Sequence, residues 1–373
     1  MPQMDWIESP AELRTLRTEW TDLLRDSASD VPFLTWEWLE AWCTHLRGPA
    51  SLKVVAVRSR GTLVAIAPFT LNPHAMPWFS RLEFLGTGAA GSDYLDLIVR
   101  TGHHHQVLPA LAALLTKERM TVRLDRLRTN ALAVQLAERL GSQGWVTSTT
   151  EDGVCPVIPL AGLTWDSYLA TLGSAHRANV RRRVREALQQ FQARFEPVTC
   201  DADRRSALTA LASFHERRFH KKGGSTAFLT PALKAFHDHA TRSALERGWL
   251  RMYVLRFGDD VAAVMYGFLY DRRFYFYQHG FDERYARNSV GLVLMALTIR
   301  AAIDERAEAF DLLWGAEAYK SRWTHDALAL RRIDLFPAHA AGRIHRRAIE
   351  ARRSIGRIAR LVTASGDQGA TRP

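Results

Sequence analysis

The sequence predicts an α/β protein in which one unit of helices and strands occurs twice, with a basic helix at the end. The first observation is that residues 52–71, LKVVAVRSRGTLVAIAPFTL, align without a gap with residues 250–269, LRMYVLRFGDDVAAVMYGFL. Each segment is a strand, a polar turn and a second strand, which predicts a β-hairpin. The second observation is that further elements surround both hairpins in the same order, which indicates an internal duplication.

Each unit reads helix, hairpin, strand, helix, strand, helix, and should form a mixed sheet flanked by helices. The corresponding elements are the leading helices 33–46 and 231–248, the third strands 81–86 and 274–280, the amphipathic helices 106–119 and 291–306, and the following strands 122–127 and 309–315. Between 145 and 165, prolines, glycines and small polar residues predict an extended crossover. We therefore expect an N-terminal domain at 1–150, a C-terminal domain at 151–338 and a tail at 339–373.

The composition fits a core-forming globular protein, since 47% of the 373 residues are hydrophobic. Cys43, Cys155 and Cys200 are isolated and form no zinc or disulfide spacing, and the histidine run 103–105 favours a solvated helix start over a metal site. We expect no bound metal. The first residues lack an apolar signal segment and no stretch approaches 18 apolar residues, so we expect a cytoplasmic protein.

Most of the net charge of +11 lies near the end of the chain. Residues 339–362 contain seven Arg and one Glu, with apolar residues on one helical face at Ile344, Ala348, Ala351, Ile355, Ile358 and Val362. This pattern is typical of a basic amphipathic helix on an anionic membrane. A helix docked on the protein body with its arginines in water is the alternative. No aromatic residues are interleaved, so we do not expect nucleic acid as a partner.

The two units differ in the loop after the third strand. In the second unit this loop is DERYARNSVG (282–291), which is basic and polar and leads into an apolar helix. A helix start offers free backbone N–H groups and a positive dipole end to a polyphosphate. In the first unit the loop at 87–105 contains the acids Asp93 and Asp96 instead. Only the second unit is therefore expected to bind a polyphosphate.

The chain resembles the GNAT superfamily of acyl-CoA N-acyltransferases. More closely, it is similar to the CelD/BcsL-type acetyltransferases, a tandem-GNAT group related to the FemABX aminoacyl transferases. The segments that carry the resemblance are FLTWEWLEAWC (33–43), IAPFTL (66–71), LEFLGTGAAGSDYLDLIV (82–99), SAHRANVRRRVREAL (174–188), FHERRF (214–219), GFDERYARNSVGLVLMALTIRAA (280–302) and FDLLWGAEAYKSRW (310–323).

The resemblance implies a sheet that splits between the parallel strands 274–281 and 309–314. Acetyl-CoA or another acyl-CoA, the expected co-substrate, would enter the split with its pantetheine along the first strand and its pyrophosphate at the loop that follows. The usual Q/R-x-x-G-x-G/A loop is replaced here by RNSVGL, which keeps one glycine. The residues expected to bind the cofactor are Gln278, Gly280, Arg284, Arg287, Asn288, Ser289 and Gly291.

The segment that follows the strand at 309–314 contains three candidate catalytic residues: Glu317, Tyr319 and Lys320. Acyl transfer needs a proton acceptor and an acid for the leaving thiolate. The resemblance implies that Tyr319, on a helix expected to begin at AEAYKSRW, protonates the thiolate; otherwise its ring only packs. Glu317 is either a general base with a raised pKa or a helix cap. Lys320 either binds the acceptor or a CoA phosphate, or is a surface lysine.

The acceptor is expected to be a small-molecule or glycan amine held by Asp93, Tyr94, Arg218 and His279. Asp93 could instead close its own loop as an Asx-turn, and His279 could be an edge histidine rather than a base. The basic helix at 176–191 is either a solvated charged face over an apolar seat of Val180, Val184, Ala187 and Phe191, or an anion site.

Three functions are consistent with these features. The first is an acyl-CoA-dependent N-acyltransferase, most simply an acetyltransferase, acting on an amino sugar or polysaccharide precursor by direct attack in a ternary complex. The second is a FemABX-like transferase that takes its donor from aminoacyl-tRNA. The third is a non-catalytic accessory protein of polysaccharide biosynthesis.

Overall fold

A computed structural model describes residues 2–73, 80–222 and 227–338, without the side chains of 219–222. The predicted basic helix and tail at 339–373 lie outside the described residues. In this part of the chain there are thirteen strands: β1 (Gln3–Ile7), β2 (Ser51–Ser59), β3 (Thr62–Asn72), β4 (Arg81–Phe84), β5 (Ile98–Val99), β6 (Thr121–Arg128), β7 (Val146–Pro159), β8 (Arg194–Pro197), β9 (Leu250–Phe257), β10 (Asp260–Tyr270), β11 (Arg273–Phe281), β12 (Ala309–Asp311) and β13 (Ala327–Phe336).

The α-helices of the same residues are α1 (Pro10–Thr15), α2 (Arg17–Arg25), α3 (Trp36–His45), α4 (His104–Glu118), α5 (Leu132–Ser142), α6 (Trp165–Thr171), α7 (Ser174–Arg185), α8 (Asp201–Lys222), α9 (Pro231–Glu246) and α10 (Val290–Asp304). Local signals explain several of their starts, since Thr35 and Thr230 accept N-cap hydrogen bonds from Trp38 and Leu233. None of the described helices is long and apolar enough to cross a bilayer.

The predicted duplication is confirmed by the strand pairing. In the first unit β2, β3 and β4 are antiparallel and β6 is parallel to β4. In the second unit β9, β10 and β11 are antiparallel and β12 is parallel to β11. The helix between the third and fourth strands is α4 in one unit and α10 in the other. Both units are therefore mixed sheets flanked by helices, as the sequence predicted.

The two units share one continuous sheet in the order β1-β2-β3-β4-β6-β13-β7-β12-β11-β10-β9-β8, with β5 paired to β3. The last strand of each unit crosses to the other: β7 pairs with β12, and β13 pairs with β6 and with β7. The predicted crossover at 145–165 is thus mostly the extended strand β7, which runs through the expected boundary at 150/151.

The face between the units is filled with aromatic side chains. Trp38 of α3 meets Phe236 of α9 and Tyr277 of β11, with ring centroids 5.0 and 5.2 Å apart. Such edge-to-face contacts add to the stabilisation from burial alone. A second apolar core lies under α7 and α10. The core between α3 and α9 holds β11, the strand that carries the candidate site, against the first unit.

The predicted basic helix at 176–191 is α7 followed by a π-helical turn at Glu186–Gln190. Val180 and Ala187 are buried as expected, but Phe191 is 46% exposed and stacks on Phe257. The prediction that Phe191 lies on the apolar face was wrong. The π-helical turn rotates the residues after it by a fraction of a turn, so Phe191 no longer points to the same side as Val180 and Ala187.

Candidate active site

The sheet splits between β11 and β12, as the resemblance to the GNAT superfamily implied. Their parallel pairing ends at Tyr275 and Asp311. Beyond that pair β11 continues to Phe281, while the backbone N–H groups of Leu312 and Gly315 turn to carbonyls of β7, at 2.9 and 3.0 Å. The edge of β11 from 276 onward is therefore left without a neighbouring strand on this side among the described residues.

A β-bulge shapes the open part of β11. The register between β10 and β11 shifts at Tyr266/Gly267, so that Tyr277 is the extra residue. Gly267 is required there, because a Cβ would collide with the carbonyl oxygen of Tyr275. Tyr277 turns to the first unit and donates its hydroxyl to the carbonyl of Ala90. The bulge thereby re-aims the two residues that follow, Gln278 and His279.

His279 is half-buried at the split, with its ring 5.0 Å from that of Phe276 and 5.7 Å from that of Tyr319. Burial, with the nearby charges of His215, Arg218 and Lys320, lowers the pKa of His279 to about 3. The imidazole is therefore neutral at physiological pH. Nε2 of His215 donates to the His279 carbonyl at 3.0 Å, which fixes this turn of β11 from α8.

Tyr319 and Arg218 face the same place from two other elements. Tyr319 is half-buried, and burial together with the carboxylate of Glu317 raises the pKa of its phenol. Arg218, at the end of α8, is exposed and has no ion-pair partner among the described residues. Its charge acts on both His279 and Tyr319. The structure therefore brings together three of the predicted site residues: Tyr319, His279 and Arg218.

The helix expected at AEAYKSRW is absent, and that prediction was wrong. Residues 316–319 carry no helix, and only a short 3-10 turn, Lys320–Arg322, precedes β13. The reason is the side chain of Lys320, which folds back so that Nζ donates to the carbonyls of Leu313 (3.1 Å) and Trp314 (2.8 Å) and pairs with Glu317 (2.9 Å). Because no helix starts here, Glu317 does not cap one, and Lys320 is buried rather than a surface lysine.

The predicted phosphate loop is a 3-10 helix, Glu283–Asn288, that leads into α10 through Ser289, whose φ of 57° is left-handed. Within the described residues, the backbone N–H groups of Val290 and Gly291 have no acceptor. A helix start of this kind is suited to an anion. The predicted residues Asn288 and Ser289 are half-buried in this turn.

The two arginines of the loop differ in their partners. Arg284 pairs with Asp282 at 3.0 Å and with Asp260 at 3.4 Å, so its charge is largely neutralised. Arg287 is exposed and forms no ion pair within the described part of the chain. Arg287 is therefore the loop cation that is available to a phosphate.

The two predicted glycines of the cofactor site have different structural reasons. A Cβ at Gly280 would lie 2.9 Å from Leu211 Cδ1 and 3.2 Å from Phe214 Cβ, so glycine lets α8 approach β11 closely. A Cβ at Gly291 would only touch the ring of Phe281 at 3.5 Å, an ordinary contact. Packing thus explains Gly280, whereas nothing in the packing requires glycine at 291.

In the first unit the equivalent split is filled by the chain itself. Parallel pairing of β4 with β6 ends at Leu82 and Val122. Beyond it Tyr94, at a φ of 63°, donates its N–H to the carbonyl of Arg126 in β6 at 3.1 Å. The loop that contains Tyr94 therefore bonds to β6, the counterpart of β12, where in the second unit the chain after β12 turns to β7 instead. That the first unit binds no cofactor stays a prediction.

Asp93 and Tyr94 are buried links between the units. The carboxylate of Asp93 pairs with Arg126 at 2.6 Å and accepts the N–H of Trp314 at 2.9 Å, rather than closing its own loop. Burial, opposed by Arg126, raises the pKa of Asp93 to about 6. The hydroxyl of Tyr94 donates to Asp311 at 2.8 Å. Their predicted contact with the acceptor stays a prediction, and both side chains already have protein partners.

The described residues contain no group of three or more His, Cys, Asp or Glu side chains that could hold a metal ion. The three cysteines differ in their exposure. Cys43 and Cys155 are half-buried and buried, and burial raises the pKa of both thiols. Cys200 is exposed immediately before α8 and donates to Asp203 at 3.2 Å. None of the three cysteines belongs to the group of side chains formed by Tyr319, His279 and Arg218.

Residues 174–321 match a family model described as Acetyltransferase (GNAT) domain. This segment contains β11, the loop, α10, β12 and Tyr319. The chain therefore carries a GNAT-type acyltransferase domain, and the protein is a transferase enzyme. No curated protein sequence matches the chain significantly.

Solved structures share the fold over nearly the whole chain. FemX is 10% identical with a TM-score of 0.62, covering 86% of this chain and 96% of that chain. L-PGS from Bacillus licheniformis is 11% identical with a TM-score of 0.56, covering 91% and 96%. A conserved protein of unknown function from Bacteroides thetaiotaomicron is 12% identical with a TM-score of 0.55, covering 90% and 100%. At such identities the likeness concerns the fold alone.

Proposed function

We propose that the protein is an acyl-CoA-dependent N-acyltransferase that moves an acetyl group from acetyl-CoA to the amine of an amino sugar or polysaccharide precursor. The match of residues 174–321 to an acetyltransferase domain supports the donor. The observation that carries the proposal is the split between β11 and β12, where Tyr319, His279 and Arg218 converge beside an open strand edge.

In this proposal the open edge of β11 from 276 onward, which includes Gln278, pairs with the pantetheine as an added strand. The free N–H groups of Val290 and Gly291, with Arg287, bind the pyrophosphate. Of the other predicted loop residues, Asn288 and Ser289 shape the turn. These contacts hold the thioester carbonyl at the split, close to His279 and Tyr319.

The chemistry proposed is direct attack of the amine on the thioester. Neutral His279 accepts a hydrogen bond from the attacking amine and orients it, while the proton that the amine loses passes to water, because a group with a pKa of about 3 is too weak a base to take it. Tyr319, whose raised pKa keeps the phenol protonated, donates to the leaving thiolate. Arg218 adds a positive charge where the oxyanion develops.

Aminoacyl-tRNA is the second candidate for the donor. The observation that favours it is the fold shared with FemX over 86% of this chain. The two candidates differ in what binds at the split: an acyl-CoA thioester, or the aminoacyl end of a tRNA.

A peripheral contact with an anionic membrane, through the basic residues 339–362, is part of the same proposal. It rests on the seven Arg and the apolar face of that segment. A membrane-bound enzyme of this kind would meet lipid-linked acceptors at the inner face of the cytoplasmic membrane.

The experiment is an acyl-transfer assay with purified protein, acetyl-CoA and D-glucosamine or its oligomers, in which the CoA thiol released is measured. Amine-dependent thiol release is the expected result. If no amine promotes thiol release but aminoacyl-tRNA supports transfer to the same amines, the acyl-CoA assignment is wrong and the second donor is correct.

A further inference from the structure

An exposed indole lies at the same edge of the sheet as the candidate site. Trp314 follows β12 by three residues, and because β11 and β12 are parallel their carboxyl ends share one edge. The side chain of Trp314 is 46% exposed. Single exposed apolar side chains are common on protein surfaces and need no explanation. Trp314 differs from them in how firmly it is held.

Three hydrogen bonds fix Trp314. Its backbone N–H donates to Asp93 at 2.9 Å, and its carbonyl accepts from Lys320 at 2.8 Å. Its indole Nε1–H donates to the carbonyl of Asp152 at 2.7 Å. Asp93 and Lys320 are only 1% and 4% exposed, so two buried charged residues support an aromatic ring that faces solvent.

Arg126 and Gly153 also contact the ring of Trp314. The guanidinium of Arg126 lies 4.1 Å from the ring centroid, a cation–π contact. Gly153, at a φ of 91°, lies against the pyrrole edge, where a Cβ would collide with Nε1. The indole N–H of Trp314 is bonded to Asp152, and Arg126 covers one face of the ring. The exposed part of the ring therefore offers a π face and no hydrogen-bond donor.

A carboxylate lies over the residue that follows Trp314 in the chain. A Cβ at Gly315 would collide with the carboxylate of Glu317, so that carboxylate folds over the residue next to Trp314. The side chain of Glu317 is 54% exposed although it pairs with Lys320. An aromatic face next to an accessible carboxylate suits a ring with apolar C–H groups on one face and a protonated amine at its rim.

We infer that Trp314 is the platform on which the pyranose ring of an amino-sugar acceptor stacks, with its ammonium group near Glu317. The inference rests on the proposed function for the site as a whole and adds the residue that recognises the acceptor. Stacking places the sugar at the carboxyl ends of β11 and β12, the edge at which the thioester is attacked.

The test measures acceptor and donor separately on the full chain. Saturation-transfer NMR follows the ring protons of the fully deacetylated glucosamine tetramer, and calorimetry follows acetyl-CoA. Trp314→Ala is expected to reduce the saturation of the sugar protons at least fivefold, and Trp314→Phe, which keeps an aromatic face, to reduce it less. Leu328→Ala removes another exposed apolar side chain (39% exposed) and should change nothing. Acetyl-CoA affinity should be the same in all variants.

Undiminished sugar binding by Trp314→Ala, or absence of sugar binding by the wild type, overturns the inference. Loss of acetyl-CoA binding in Trp314→Ala also overturns it, because the ring would then stack on the adenine of CoA. The proposed function fails separately: if the wild type does not bind acetyl-CoA but sugar binding still depends on Trp314, the platform stands and the acyl-CoA donor does not.

Discussion

The rings of His279 and Tyr319 lie with their centroids 5.7 Å apart, although 40 residues separate them in the chain. The contact joins the bulged end of β11 to the segment after β12 across the split in the sheet. It brings a neutral imidazole and a protonated phenol to the place where an added strand would end. This pair of residues is the basis of the first prediction.

Tyr319→Phe is expected to lower kcat by about 10²-fold or more, the range found for loss of a general acid. The phenylalanine ring keeps the packing against His279, so the affinity for acetyl-CoA and the thermal unfolding temperature should stay unchanged. Steady-state kinetics with acetyl-CoA and an amine acceptor measure the effect. Unchanged kcat in a variant with wild-type donor affinity would assign Tyr319 a packing role only.

Lys320→Met should destabilise the protein by about 1–3 kcal/mol. The substitution keeps the apolar stem but leaves the carbonyls of Leu313 and Trp314 without their buried donor. Glu317→Gln is the matched control, since its exposed side chain takes part in the same ion pair and should cost less than about 0.5 kcal/mol. Urea unfolding of both variants measures the difference, and equal losses would contradict this account.

Gly267→Ala should destabilise the protein by more than about 2 kcal/mol, because its Cβ would collide with a backbone oxygen that cannot move as a side chain does. Gly141→Ala in α5 is the control. There a Cβ would meet only Thr147 at 3.5 Å, and alanine favours the helix by up to about 1 kcal/mol. The unfolding midpoint should therefore fall in the first variant and stay or rise in the second. A well-folded Gly267→Ala protein would mean that the bulge at Tyr277 is not needed.

Acid should destabilise the fold through His237. This histidine is 1% exposed, bonds the hydroxyl of Tyr266 and the carbonyl of Ala227, and burial lowers its pKa to about 3. The unfolded state, with a pKa near 6.5, binds the proton first, so stability is lost as pH falls below about 6.5 toward 3. At pH 5 the loss is about 2 kcal/mol for this residue.

The measurement is the free energy of unfolding in urea at pH 7 and pH 5, for the wild type and for His237→Gln. The glutamine does not titrate, so its pH dependence should be smaller by the contribution of His237. Because the comparison is between two pH values in each protein, any constant effect of the substitution cancels. An equal decrease in both proteins would show that His237 does not titrate as described.

The helices and strands could be predicted from the sequence where the periodicity of apolar residues is clear. The hairpins at 52–71 and 250–269 and the helices after them have clear periodicity, and their order revealed the duplication. The placement of β13 between β6 and β7 was not predictable, because pairing between residues more than 170 positions apart leaves no local pattern. The side chain of Lys320, which prevents the helix expected at 316, acts through carbonyls that no sequence pattern identifies.

The site was predicted in part. Tyr319 was predicted from the resemblance to the GNAT superfamily, His279 from its place at the end of a strand, and Arg218 from the segment FHERRF (214–219). Trp314 was missed, although a tryptophan at the end of the expected strand 309–314 and before Gly315 was a usable signal. Its exposure depends on Asp93 and Arg126, which belong to the other unit, and on Asp152 of β7, the strand that runs through the boundary between the units.

The most direct test of the central claim is calorimetric titration of acetyl-CoA into the wild type, Gly291→Trp and Gly291→Ala. The alanine Cβ makes only an ordinary contact with Phe281, whereas the indole would cover the free N–H groups at the start of α10. The account predicts micromolar binding by the wild type and by Gly291→Ala, and none by Gly291→Trp. Absence of binding by a well-folded wild type, or equal binding by all three proteins, would contradict it.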